Sequence, residues 1–181
     1  MDIIHNRHRH EGIDTAILRD IPFPSTNSTQ VKELLSRCPS SAVTPLVNAE
    51  QMAREQFVGK ISIKDERQRM GLGSFKALGA AYVIAYRAMI EGESQVGKTY
   101  VTSSAGNHGL SVAAGAKAFG ANSVVYISNT VPEAFVIRLM AEGAKVVRAG
   151  QVYEESMEAA KQAAEDNGWV LLSDTSWPEY Y

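Results

Sequence analysis

Thr99-Tyr100-Val101-Thr102-Ser103-Ser104-Ala105-Gly106-Asn107-His108-Gly109 carries the clearest fold signal in the chain. Its first four residues are β-branched or aromatic and the next four are small. From Asn107 onward apolar residues recur at helical spacing as far as 119. The segment therefore reads as a strand, a tight turn and a helix. The same alternation continues downstream. Residues 123–128 read as a strand and 132–142 as a helix, with Pro132 at the start, where its missing N–H costs nothing, and Gly143 as the stop. Residues 145–148 form another strand, 153–167 an Ala- and Glu-rich helix ended by Gly168, and 169–172 a fourth strand. This β-α-β-α-β-α-β order predicts an α/β fold: an open parallel sheet with helices on both faces and right-handed crossovers. Such sheets bind ligands in the loops that follow the carboxyl ends of their strands, where Ser103-Ser104-Ala105-Gly106 falls.

Upstream, the pattern over 74–90 is helical, and Ile61-Ser62-Ile63 alternates like a short strand before the charged run Lys64-Asp65-Glu66-Arg67. Residues 1–41 are polar and punctuated and are expected to be a lead-in segment. Ile21-Pro22-Phe23-Pro24-Ser25 would be its stiff extended piece, and 28–37 a short helix capped by Ser28. The α/β unit then occupies 42–181, with a small subdomain over about 98–173.

Composition excludes several classes. In 181 residues, 45% are hydrophobic and 21% charged, enough apolar material to bury a core and too much for a disordered chain. With 18 Lys+Arg against 20 Asp+Glu the net charge is −2, so there is no basic footprint for nucleic acid or an anionic membrane. The N-terminus has no uninterrupted apolar run of the kind a secretory signal needs. The longest apolar stretch, 77–90, is too short to span a bilayer and is interrupted by Arg87, Tyr82 and Tyr86. A cytoplasmic location is expected. The lone Cys38 cannot form an internal disulfide and reads as a small buried hydrophobe. His5, His8 and His10 can in principle bind a metal, but near a terminus they read as solvated residues, and no metal is expected.

Gly92-Glu93-Ser94-Gln95-Val96-Gly97-Lys98-Thr99 fits the phosphate-loop pattern letter for letter. That motif works only between a strand and a helix, where backbone N–H groups converge on phosphate. Here a helix precedes it and a strand follows, so it reads as a connection with Lys98 in solvent. Gly71-Leu72-Gly73 lacks the third glycine of a dinucleotide fingerprint and follows a charged run.

Two motifs survive. In Ser74-Phe75-Lys76, Ser74 reads as an N-cap that places Lys76 in the first turn of a long helix. The positive end of the helix dipole there eases deprotonation, as carbonyl or Schiff-base chemistry requires. The alternative on spacing alone is a solvated first-turn lysine. In Ser103-Ser104-Ala105-Gly106-Asn107-His108-Gly109, small residues, hydroxyls and a helix N-terminus make an anion pocket suited to a carboxylate or phosphate, although any strand-to-helix turn can carry Ser and Gly for capping. His108 reads as a turn or core histidine rather than a base.

Separated by one helix and one strand, these motifs together resemble the pyridoxal-phosphate-dependent enzymes of the tryptophan synthase β and threonine dehydratase fold type, known as fold type II. Within that group, Ile63-Lys64-Asp65-Glu66, Gly71-Leu72, Phe75-Lys76, Leu78-Gly79, Ala81-Tyr82, Asp174-Thr175, Trp177 and Tyr180 look most like the diaminopropionate ammonia-lyases. The resemblance covers about 42 to 181, and implies that this stretch is the N-terminal part of such a domain. It implies Lys76 as the lysine that carries pyridoxal 5'-phosphate, with Phe75 beside the cofactor ring and Asn107 hydrogen-bonded to the cofactor's phenolic oxygen. It further implies Ser103, Ser104, Ala105 and Gly106 as the holder of the substrate α-carboxylate, and Asp174 facing the substrate's amine end.

A small amino-acid substrate and a homodimer follow from the same resemblance. So does a phosphate-binding, glycine-rich loop supplied by a following domain, because no second glycine-rich nest occurs after Gly109. Two departures stand out. Ala105 occupies the position before Gly-Asn-His-Gly where the ammonia-lyases usually carry an acidic base, and Glu179 stands where a glycine is usual. The expected activity is α,β-elimination of ammonia from 2,3-diaminopropionate, giving pyruvate. Ala105 favours the alternative of serine or threonine dehydration. A third reading is a non-catalytic or partner-dependent α/β module.

Overall fold

Alternation along the strands determines which helix covers which face of the sheet. The computed structural model describes residues 26–90 and 92–175. In chain order the elements are α1 (Thr29–Ser36), β1 (Leu46–Asn48), α2 (Glu50–Glu55), β2 (Ser62–Lys64), α3 (Ala80–Met89), β3 (Thr99–Ser103) and α4 (Asn107–Ala118). They continue with β4 (Asn122–Ile127), α5 (Glu133–Ala141), β5 (Lys145–Arg148), α6 (Tyr153–Asn167) and β6 (Val170–Leu171). The four later strands form a parallel sheet in the order β5-β4-β3-β6. β1 and β2 form a separate antiparallel pair.

Side chains alternate across a strand, so Tyr100 and Val101 serve different cores. Tyr100 packs with Ala80 and Ile84 of α3, Val112 and Ala116 of α4, and Leu172. On the same face Val125 and Ile127 meet Leu110 and Ala113 of α4 and Val136 and Leu139 of α5. Val101 and Val124 face the other way, onto Ala160 and Ala164 of α6. Ile84, Val112 and Leu139 are completely buried, and each such side chain contributes about 1.5–3 kcal/mol. The parallel, two-faced arrangement is thus the expected one.

The helix expected over 74–90 is divided. Phe75–Leu78 is a 3₁₀ turn, and α3 begins only after Gly79, whose φ −89°, ψ −87° is not helical. Ser74 does cap this turn, its Oγ accepting from Lys76 N–H at 3.2 Å. Lys76 therefore does not stand in the first turn of a long helix, and the dipole of such a helix does not act on it. Strand β1 and helix α2 were not foreseen. Three and six residues are too few to establish a period, and β1 becomes a strand only by pairing with β2.

The phosphate-loop lookalike is a connection, as expected: α3 precedes it and β3 follows. Its buried Gln95 accepts from the Tyr100 hydroxyl at 2.6 Å and donates to the Glu93 carbonyl at 2.7 Å, so the loop serves the core. Lys98 is partly shielded and pairs with Glu93 rather than standing free in solvent. Helix α1 packs on α3, and between them, the 3₁₀ turn and α4 lies an apolar cavity of about 350 Å³. Cys38 is on its wall and is half-buried rather than fully buried. Ser28 stands at the N-cap position of α1 but its side chain makes no capping bond; Asn27 Oδ1 accepts from Thr29 N–H instead. No helix among the described residues is long and apolar enough to cross a membrane. His5, His8, His10, the 21–25 piece, Trp177, Glu179 and Tyr180 lie outside the described residues.

Candidate active site

Strand β3 delivers the chain to the carboxyl edge of the sheet, and the turn Ser104-Ala105-Gly106 returns it into α4. Gly109 lets that turn lie on the helix. A Cβ there would stand 2.0 Å from the Ser104 carbonyl oxygen. No side chain caps α4 at Gly106, which leaves its first-turn N–H groups facing the turn, where a helix N-terminus favours an anion. Asn107 lies at that end and, with Gly73, Ser74 and Phe75, lines an open concavity of about 520 Å³. Val47, Ile63 and the charged residues 64–67 also line it. Phe75 is 64% exposed, a large ring standing unburied beside Asn107.

The segment that leads into the turn of Phe75 and Lys76 carries a polar cluster. Arg69 donates to both carboxylate oxygens of Glu66 at 2.6 and 2.8 Å, to Thr44 Oγ1 at 2.8 Å and to the Ala42 carbonyl at 2.9 Å. Thr44 Oγ1 donates to Glu66 at 2.6 Å. The hydrogen bonds from Arg69 and Thr44, aided by the charges of Arg69 and Lys64, outweigh the opposing effect of burial and hold the Glu66 carboxyl down at about 2. Arg67 forks onto Asp65 through Nε and Nη2 at 2.9 and 2.6 Å, and holds that carboxyl at about 2 as well. Both arginines stand within the linker between β2 and the candidate lysine.

Lys76 Nζ reaches Asp174 Oδ2 at 3.1 Å across 98 positions of sequence. Asp174 is brought there by β6. Leu172 N–H bonds to the Val101 carbonyl at 2.9 Å, and the buried His108 ring bonds through Nε2 to the Leu172 carbonyl at 2.8 Å. His108 is therefore a structural histidine, as expected, and its anchor holds the segment that bears Asp174. Tyr153, the first residue of α6, donates its hydroxyl to Asp174 Oδ1 at 3.2 Å. Burial pushes the Asp174 carboxyl up. The hydrogen bond from Lys76, the nearby His108, the Lys76 charge and the Tyr153 hydroxyl together outweigh it, and Asp174 sits below the ordinary carboxylate range. The Tyr153 phenol is raised, first by burial and then by Asp174.

The structure thus brings Lys76 to Asp174, and places Phe75 and Asn107 on one concavity. Ser103 stands apart. Its hydroxyl is buried on the α6 side of the sheet, 2.8 Å from Ser156 Oγ, so its side chain does not face the turn. The period of the strand carries the signal, since Ser103 shares its face with Val101 and not with Tyr100. Ser104, Ala105 and Gly106 keep their place in the turn. Tyr153 is the residue that sequence reasoning missed. Nothing in a helix's opening residue indicates that it will meet a carboxylate 21 positions later.

Residues 39–180 match the family model "Pyridoxal-phosphate dependent enzyme". Among curated relatives, diaminopropionate ammonia-lyase of Escherichia coli K12 is 33% identical over 151 residues, covering 76% of this chain and 38% of that protein. The L-serine dehydratase/L-threonine deaminase of Mus musculus is 31% identical over 131 residues, 72% of this chain and 36% of the relative. The crystal structure of the E. coli diaminopropionate ammonia-lyase with an aminoacrylate–PLP azomethine reaction intermediate superposes with a TM-score of 0.75 at 31% identity, covering 87% of this chain and 43% of that one. The chain spans less than half the length of each of these relatives.

Proposed function

The chain belongs to the family of pyridoxal-phosphate-dependent enzymes, and from that premise we propose that it serves an ammonia-lyase acting by α,β-elimination on a small amino acid, with 2,3-diaminopropionate as the favoured substrate. The residues present fit the cofactor. An unburied aromatic ring, Phe75, shares a concavity with the amide side chain of Asn107, which opens a helix without a side-chain cap, and the next residue after Phe75 is a half-exposed lysine paired with Asp174.

Pyridoxal phosphate, when bound, supplies the electron sink that makes a substrate's Cα–H acidic. The chain's own groups divide the remaining work. Lys76 would hold the cofactor through its Nζ, and the same nitrogen, when free, would accept the substrate's Cα proton. Phe75 would lie against the cofactor ring, and Asn107 would hydrogen-bond its phenolic oxygen. The backbone N–H groups of the Ser104-Ala105-Gly106 turn and the start of α4 receive the α-carboxylate. Asp174 stays ionised and faces the amine that leaves from Cβ. Elimination releases one ammonia and an aminoacrylate, and hydrolysis of the latter by one water gives pyruvate and the second ammonia.

The observation that carries this reading is the Lys76–Asp174 pair at 3.1 Å. A carboxylate next to the reacting lysine suits a substrate that brings a second ammonium, whereas a hydroxy amino acid has no need of it. Ala105 supports the other reading, a serine or threonine dehydratase, because the turn there carries no acidic group. Relative rates of pyruvate and 2-oxobutyrate release from diaminopropionate, serine and threonine, measured at saturating pyridoxal phosphate, separate the two. Preference for diaminopropionate is expected. Turnover of threonine alone would defeat the proposal.

A further inference from the structure

We propose that Tyr153 is a positioning residue of this site, whose phenol fixes the Asp174 carboxylate so that Oδ2 is presented to Lys76 and to a substrate's distal ammonium. The second half of that statement rests on the ammonia-lyase reading above. The first half stands on geometry alone. Asp174 is held from two sides, by Tyr153 at Oδ1 (3.2 Å) and Lys76 at Oδ2 (3.1 Å). The terminal torsion of an aspartate is broad, and a separate donor on each oxygen selects one orientation of the carboxylate plane. With both engaged, its plane is set. When Lys76 is occupied by the cofactor, the Tyr153 hydroxyl remains as the bond that keeps Oδ2 aimed at the vacated position.

The backbone under Tyr153 is built for such a task. Ser156 Oγ donates to the Tyr153 carbonyl at 2.7 Å and meets Ser103 Oγ at 2.8 Å. Ser156 is 1% exposed and Ser103 6%. This buried hydroxyl pair joins the first turn of α6 to the carboxyl end of β3, the strand that opens into the site's turn. The ring is thus referenced to the same edge of the sheet as Asn107, and the Asp174 segment is fixed to it by His108 through the Leu172 carbonyl. The groups that act on the pair are Lys76 and His108 on the Asp174 side and Glu154 on the Tyr153 side. The Tyr153 hydroxyl is a neutral donor, which can hold a carboxylate without cancelling its charge toward a substrate ammonium.

Tyr153→Phe removes only the hydroxyl and keeps the ring packing. The first readout needs no cofactor: the pH midpoint of the Asp174 carboxyl by carbon NMR in the protein as it stands. Loss of one hydrogen bond to the charged form raises that midpoint by roughly 0.4–1 pH unit. The second is the preference for diaminopropionate over serine at saturating pyridoxal phosphate, expected to fall about three- to tenfold in Tyr153→Phe, with KM for diaminopropionate rising more than kcat falls. A tyrosine that merely packs moves neither. An unmoved midpoint overturns the assignment whatever the substrate, as does an unchanged preference in an enzyme that takes diaminopropionate. If the parent protein turns over no diaminopropionate while the midpoint still shifts, the substrate reading falls and the pairing of Tyr153 with Asp174 is upheld.

Discussion

Gly109→Ala tests how the site's turn is held against its helix. The added Cβ would stand 2.0 Å from the Ser104 carbonyl oxygen and 3.2 Å from Leu139 Cδ2, against an ordinary contact of 3.4–4 Å. The side chain of Leu139 can yield a few tenths of an ångström. The Ser104 carbonyl cannot, because it belongs to the backbone that joins β3 to α4, so the turn must move by more than about 1 Å. Alanine gains about 1 kcal/mol over glycine inside a helix, and overpacking against a rigid partner costs about 3 kcal/mol or somewhat more. The net loss is about 2 kcal/mol, which for a chain of this size lowers Tm by roughly 4–8 °C. Thermal unfolding followed by circular dichroism measures it, with Gly59→Ala as the control, since no atom lies within 4 Å of a Cβ there. The displaced turn should also open faster to amide hydrogen exchange at residues 104–107. A Gly109→Ala protein that melts with the control, with unchanged exchange in the turn, would refute the close approach and the anion-binding geometry built on it.

Gly168→Ala, by contrast, meets no neighbour but imposes a left-handed φ of +66° on alanine, costing about 1 kcal/mol in urea unfolding. Lys76→Ala should leave the fold within about 0.5 kcal/mol of the parent, because a half-exposed ion pair carries little stability. A Glu66 carboxyl held at about 2 instead of 4.5 makes the protein more stable wherever it is ionised in the folded state and protonated in the unfolded one. That contribution is complete above pH 4.5 and is lost as pH falls from 4.5 toward 2. Glu66→Gln should remove this part of the acid dependence, seen as urea midpoints that fall less steeply below pH 4.5.

The larger architecture was legible because its signals are periodic. β5 and α6 fall where the alternation from Lys145 to Gly168 puts them, and the other elements after Thr99 differ from expectation by a residue or two at their ends. Those helices are long enough to show a face, and proline or glycine marks several of their ends. What escaped was either short or decided by distant contacts. β1 has three residues and exists through its pairing with β2. The break at Gly79 was hidden because Ala77, Leu78, Ala80 and Ala81 keep a helical composition across it.

The candidate site divides along the same line. Lys76, Asn107 and the turn at Ser104 are local motifs and could be found as such. Asp174 reaches Lys76 only because β6 returns beside β3, and was reached in the sequence through resemblance rather than spacing. Tyr153 required both the position of α6 and the path of the chain after Leu172. Ser103 shows the opposite case, a residue inside a legible motif whose strand parity turns its side chain to the buried face.

The proposed attachment of the cofactor at Lys76 is open to direct measurement. The direct measurement is to incubate the protein with pyridoxal phosphate, reduce with borohydride and map the labelled peptide, alongside Lys76→Ala. Phosphopyridoxyl label is expected on Lys76 in clear excess over Lys64 and Lys98, and should disappear in the variant with the circular dichroism spectrum unchanged. Label that distributes over Lys64 or Lys98 and persists in Lys76→Ala would contradict it.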